Sequence, residues 1–245
     1  MMNKNLEESR QIRSIGKLVT LHLLPGIILT LVYVLLLKSG VFQGYPKTIV
    51  LALAGVFGIV FGELGYLFYV VKKEERSFNI FKILGLKSKL KSKDLFLYTI
   101  TLFAAAGILM SASKPITNFL LNNVFSFIPT RYNLVEDMSL FSRSIIIITI
   151  LVNFFMITII LPIIEELYFR GFLLARMKWM GKHSVVVNAV LFSVYHLWSP
   201  WMIAARVVAF LPLFYWVYKK DSLKLSITVH CLANFTDVVV LLMLL

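Results

Sequence analysis

Long apolar runs separated by short polar connections dominate the chain. Seven of them approach the ~20 residues that a helix needs to cross a bilayer: about Leu18 to Leu37, Thr48 to Val71, Leu95 to Ala112, Ile145 to Leu174, Ser184 to Trp198, Trp201 to Tyr218 and Leu225 to Leu245. The run from Ile116 to Phe127 is shorter and holds Asn118, Asn122 and Asn123, so it reads as a re-entrant or interfacial helix or part of an eighth crossing. The pattern predicts an all-α polytopic membrane protein, a bundle of seven or eight transmembrane helices. The first run lacks a small-residue cleavage site and is followed by further spans, which makes it an anchor rather than a removable signal.

Composition agrees, with 59% hydrophobic residues. The formal net charge of +13 raises nucleic acid as a partner, and the placement of the basic residues argues against it. Alternate connections carry 18 Lys and Arg against five, eight of them between Lys72 and Asp94. By the positive-inside rule the N-terminus, that loop and the Arg176 to Lys182 turn lie in the cytoplasm, in a multi-pass protein of the cell membrane. No basic groove interleaved with aromatics is visible, so no nucleic acid is expected. In the basic loop Phe78, Ile80, Phe81, Ile83 and Leu84 precede Lys87, Lys89, Lys91 and Lys93. This reads either as an interfacial amphipathic helix on anionic lipid or as a solvated loop that fixes topology. A single cysteine, Cys231, permits no intramolecular disulfide.

Acids in a lipid-spanning run are costly and mark function, so the pair Glu165 and Glu166 is the first chemical candidate. On a helix Glu166 and Arg170 are i,i+4 neighbours, while Glu165 points about 100° away, which suggests one structural carboxylate and one free for chemistry. Pro162 cannot donate its backbone hydrogen bond, and a kink before the acids would help open a polar cavity. On this motif alone, two acids that merely hold helices together is an open alternative. His196 closes Phe192-Ser193-Val194-Tyr195-His196, and His230 with Asn234 shares one helix face, suited to two donors on one oxygen or two ligands on one ion. Glu165 and His196 each lie within ~20 Å of the basic turn between them, and His230 is ~9 Å beyond Lys224. The expected result is a cytoplasm-facing intramembrane cavity.

Three further charges fall inside apolar runs. Arg206 and Asp237 share a depth of ~20 Å and are candidates for a structural ion pair. Glu63 could reach the cavity, with helix packing as its expected role.

Glu-Glu-x-x-x-Arg, Phe-x-x-x-His and His-x-x-x-Asn, in this order on successive hydrophobic segments, resemble the signature of the CAAX protease and bacteriocin-processing (CPBP, Abi) family of intramembrane endopeptidases, of the type II CAAX prenyl endopeptidase kind. Pro162 and Gly171 flank the first motif in the family manner. The resemblance covers 145–245, a CPBP-like catalytic helical core; residues 1–144 are N-terminal transmembrane helices with the basic loop 72–94. It implies a peptide hydrolase acting on membrane-associated peptides or proteins. Glu165 would be the general base that activates water, helped by His196. His230 and Asn234 would stabilise the oxyanion, and Glu166 and Arg170 would support the site. Amide hydrolysis needs an activated water, a proton for the leaving amine and donors where charge develops. No cofactor is favoured. Zinc on Glu165, His196 and His230 is possible, but there is no His-Glu-x-x-His, and a metal would consume the base and donors. Eukaryotic relatives remove a terminal tripeptide from prenylated proteins, whereas this compact chain resembles bacterial members, in which such substrates are not expected. Two other classes stay open: a small-solute or proton-coupled transporter, and a bacteriocin self-immunity protein acting by binding.

Overall fold

Backbone groups in hydrocarbon have no water to pair with, and the apolar runs accordingly fold as helix. The computed structural model describes residues 10–87 and 89–245; the first nine residues, with Lys4 of the basic N-terminus, and Ser88 of the basic loop lie outside the described part. The helices are α1 (Ile15–Lys38), α2 (Lys47–Glu75), α3 (Ser92–Ala112), α4 (Lys114–Phe119), α5 (Arg143–Met180), α6 (His183–Tyr195), α7 (Pro200–Lys220) and α8 (Leu223–Leu242). Among the described residues there is no strand, only an isolated bridge between Lys87 and Ser222. The protein is an all-α, multi-pass membrane protein.

Among the described residues six helices are long and apolar enough to cross, where seven or eight were expected. The difference lies in α6 and α4. α6 stops at Tyr195 after 13 residues, ~20 Å of rise against a ~30 Å hydrocarbon core. Its chain then breaks at His196 and turns through Ser199 before α7 begins. α4 is six residues long, continues in a wider turn over Leu120–Val124, and buries none of its side chains.

Besides Leu120–Val124, three described segments widen from α to π geometry: Val56–Leu64 in α2, and Asn153–Ile160 and Leu167–Leu173 in α5. Such turns are rare and concentrate at functional sites. In α5 the two flank a short α stretch, Leu161–Glu166, that carries both acids. Pro162 explains part of the first: it lacks the N–H that would close a π turn onto the Ile157 carbonyl. That carbonyl accepts instead from the Asn234 side chain at 2.8 Å. At the second π stretch Asn188 donates to the Phe169 carbonyl at 3.1 Å, and its amide nitrogen also meets buried His22 at 3.1 Å. Two asparagines on other helices thus serve carbonyls of the widened stretches. Gly26 lets α1 pass close to α6, since a Cβ there would lie 2.1 Å from the Tyr195 carbonyl oxygen.

The basic loop follows neither expected form. Ile80, Ile83, Leu84 and Leu86 turn inward, while Phe78 and Phe81 stay exposed. The loop is pinned to the ends of other helices: Gly85 N–H donates to Gly171 O at 2.7 Å, Arg176 donates to Ile83 O at 2.9 Å, and Leu223 N–H donates to Leu86 O at 3.0 Å. Arg176 also pairs with Glu74 at 2.8 Å, and Arg10 pairs with Glu74 and Glu75. These bonds hold the loop against the basic ends of α5 and α8.

Candidate active site

Glu166 is the hub of the site. It is 1% exposed, and its Oε1 lies 3.3 Å from Arg170 Nη1 and 2.9 Å from His230 Nδ1, while the Ser226 hydroxyl donates to Oε2. Arg170 is fully buried, and its guanidinium carbon lies over two nearly perpendicular rings, 3.9 Å from the Phe192 centroid and 3.6 Å from that of Phe214. The π face of each ring receives the cation where no water can. The sequence motifs gave no sign of Ser226 or of these two rings as partners. Ser226 precedes His230 by one helical turn, a spacing that marks a shared face but not a hydrogen bond.

Glu165 turns the other way. With His196, His230, Asn234 and Pro162 it lines a cavity of about 460 Å³. Its Oε2 stands 3.8 Å from His230 Nε2. His230 therefore bridges the two acids, held through Nδ1 on Glu166 and presenting Nε2 to Glu165. His196 sits at the break after α6, its Nδ1 engaged by the Phe192 carbonyl at 2.8 Å. With that nitrogen donating, Nε2 carries the lone pair. Glu165 and His196 share the cavity wall, and among the described residues no direct hydrogen bond joins them. Asn234 spends one N–H on Ile157 O and keeps a second. Irregular backbone at membrane depth is tolerated where it lines a cavity, and the turn after His196 does so.

A third acid stands behind the site. Glu63, on the π stretch of α2, is fully buried and neither oxygen has a hydrogen-bond partner. The Tyr195 hydroxyl, equally buried, stands near both Glu63 and Glu165 without direct hydrogen-bond geometry to either. Packing was the expected role of Glu63. Two orphaned oxygens beside the chemistry go beyond that role.

Arg206 and Asp237 both line the cavity, as their common depth suggests, but they do not pair. Arg206 donates instead to Ser199 O at 3.2 Å and to Ser199 Oγ at 2.7 Å. Ser199 O already accepts from Met202 N–H at 3.0 Å, and the guanidinium joins it there.

The lining also differs from the cytoplasm-facing cavity expected from depth. Glu165, Pro162 and His230 lie near mid-helix. The other helical lining residues, among them Leu29, Ile59, Phe103 and Asn234, lie from mid-helix toward the ends away from the basic connections, and Leu134 belongs to the connection on that far side. Distance from a basic turn measures how deep a residue lies, not which end is open. Nearer the basic connections Tyr66, Tyr168 and Phe172 pack ring on ring.

Among the described residues no three His, Cys, Asp or Glu side chains are grouped so as to hold a metal ion. Glu165, His196 and His230 share the cavity wall. No curated protein and no solved structure matches the chain. Residues 147–236, the part of the chain that holds Glu165, Glu166, His196, His230 and Asn234, match the family model described as Type II CAAX prenyl endopeptidase Rce1-like.

Proposed function

We propose that this protein is an intramembrane endopeptidase that cleaves a membrane-associated peptide or protein with water activated by Glu165. The observation that carries the reading is the split of the acid pair: Glu166 is consumed by Arg170, His230 and Ser226, while Glu165 faces the cavity. Glu165 takes the proton of the attacking water, and His196, through Nε2, shares the base role and passes a proton to the leaving amine. His230 and the second Asn234 N–H meet the oxyanion. Glu166 and Arg170 hold His230 in place. Zinc plays no part in this scheme. If lasting loss of activity in chelator were reversed by zinc, the metal-free assignment would be wrong.

The basic face supports a cytoplasmic N-terminus in the cell membrane. With that orientation the cavity faces the outer half of the bilayer, and substrate enters from that side. The test is a comparison of peptide termini in cells carrying wild type and Glu165→Gln. New termini that disappear in the variant, at equal protein level, are expected; identical sets of termini would remove the peptidase reading.

A further inference from the structure

The peptidase scheme leaves Arg206 without a task. It is the one lysine or arginine in the cavity wall, among apolar side chains such as Leu29, Ile59, Phe103 and Phe210. A charge in such surroundings is costly unless something meets it. Among the described residues no carboxylate lies in ion-pair range, although Glu165 and His196 are close enough to feel its charge. Two of its five N–H donors go to Ser199, which is itself 3% exposed, and this fixes the plane of the guanidinium. A fork held rigid on one side, with donors left over, is suited to a planar anion. Asp237 lines the same cavity and bears the opposite charge, so it would disfavour an anion on its own side.

We propose that Arg206 binds a carboxylate of the substrate, so that the enzyme selects peptides with an acidic group close to the bond it cleaves. This rests on the peptidase reading. The carboxylate has two possible sources, the C-terminus of the peptide or an Asp or Glu side chain.

The test uses full-length Glu165→Gln protein in neutral-lipid vesicles and three probes: N-dodecanoyl-leucine, its carboxamide, and N-dodecanoyl-aspartate α-amide. Binding is read by tryptophan fluorescence, Trp198 being in the cavity wall. The free acid should bind at least about tenfold tighter than the carboxamide, as befits a hydrogen bond to a charged group. That preference should vanish when Arg206→Gln is added and survive Arg206→Lys in part. Tighter binding of the aspartate amide than of the leucine acid would assign the site to a side-chain carboxylate, and the reverse order to a chain end. Equal binding of acid and carboxamide, no binding of the acid, or a preference that persists in Arg206→Gln would overturn the proposal. An unspecific pull of anionic amphiphiles toward a basic protein would persist in Arg206→Gln and so is told apart. The probes report on an inactive variant, so the outcome is independent of hydrolysis, which the comparison of termini tests separately.

Discussion

Replacing Glu166 by glutamine removes the one negative charge in contact with a fully buried guanidinium. At the observed 3.3 Å and an effective dielectric of about 20, the attraction lost is about 5 kcal/mol. The rings of Phe192 and Phe214 remain, each contributing about 1–2 kcal/mol to holding the cation. The net cost is expected at about 3–5 kcal/mol, the usual penalty for leaving a buried charge unpaired. In thermal unfolding of the purified protein that corresponds to a fall on the order of 10 °C. Glu165→Gln is the control. It removes a charge that faces the cavity, near Glu166 and Glu63, and its stability should be unchanged or slightly raised. Adding Arg170→Met to Glu166→Gln should return most of the lost stability without returning activity, because His230 has still lost its anchor. If Glu166→Gln melted within about 1 °C of wild type, or if the double variant were less stable than the single, the hub would not be holding the site.

Two more tests follow from the helix geometry. Asn234→Ala and Asn188→Ala each strip a carbonyl of its side-chain donor and should cost about 1–3 kcal/mol in chemical unfolding, but only Asn234→Ala should also lower kcat, by a factor on the order of 100; equal kcat in both variants would remove Asn234 from the chemistry. Tyr195→Phe deletes the hydroxyl between Glu63 and Glu165 without changing the ring packing, and should reduce kcat about tenfold with KM unchanged if that hydroxyl positions the base; unchanged kinetics would leave Tyr195 a packing residue.

The motif residues were legible because charge and imidazole stand out against an apolar background. The split between Glu165 and Glu166 was legible too, since a 100° step and an i,i+4 arginine are properties of any helix. Ser226 was not, because one hydroxyl among many gives no sign of which acid it will meet. Nor was the role of Pro162 beyond a kink. That its missing N–H is answered by Asn234 depends on a π stretch and on two helices 77 positions apart in sequence. Hydropathy found α6 but not its length, because the apolar run continues through His196 to Trp198 after the helix has ended. The basic loop misled for a similar reason. Its apolar residues sit at spacings that suit a helix, but Ile80, Ile83, Leu84 and Leu86 are buried where the loop bonds to Gly171, Arg176 and Leu223, while Phe78 and Phe81 are exposed.

The π stretches of α5 bear on how this protein can vary over evolution. A π turn closes over one residue more than an α turn, so the widened stretch Asn153–Ile160 depends on how many residues it holds. Most side chains in that stretch can be exchanged for others of similar size with little effect on phase. Loss of a single residue there would return the turn to α geometry with the acids near their present phase, but the Ile157 carbonyl would then be taken within its own helix and lost to Asn234. The seat of Asn234 is therefore encoded in residue count as well as in residue identity, and deletions between Asn153 and Pro162 should be excluded even where substitutions are tolerated.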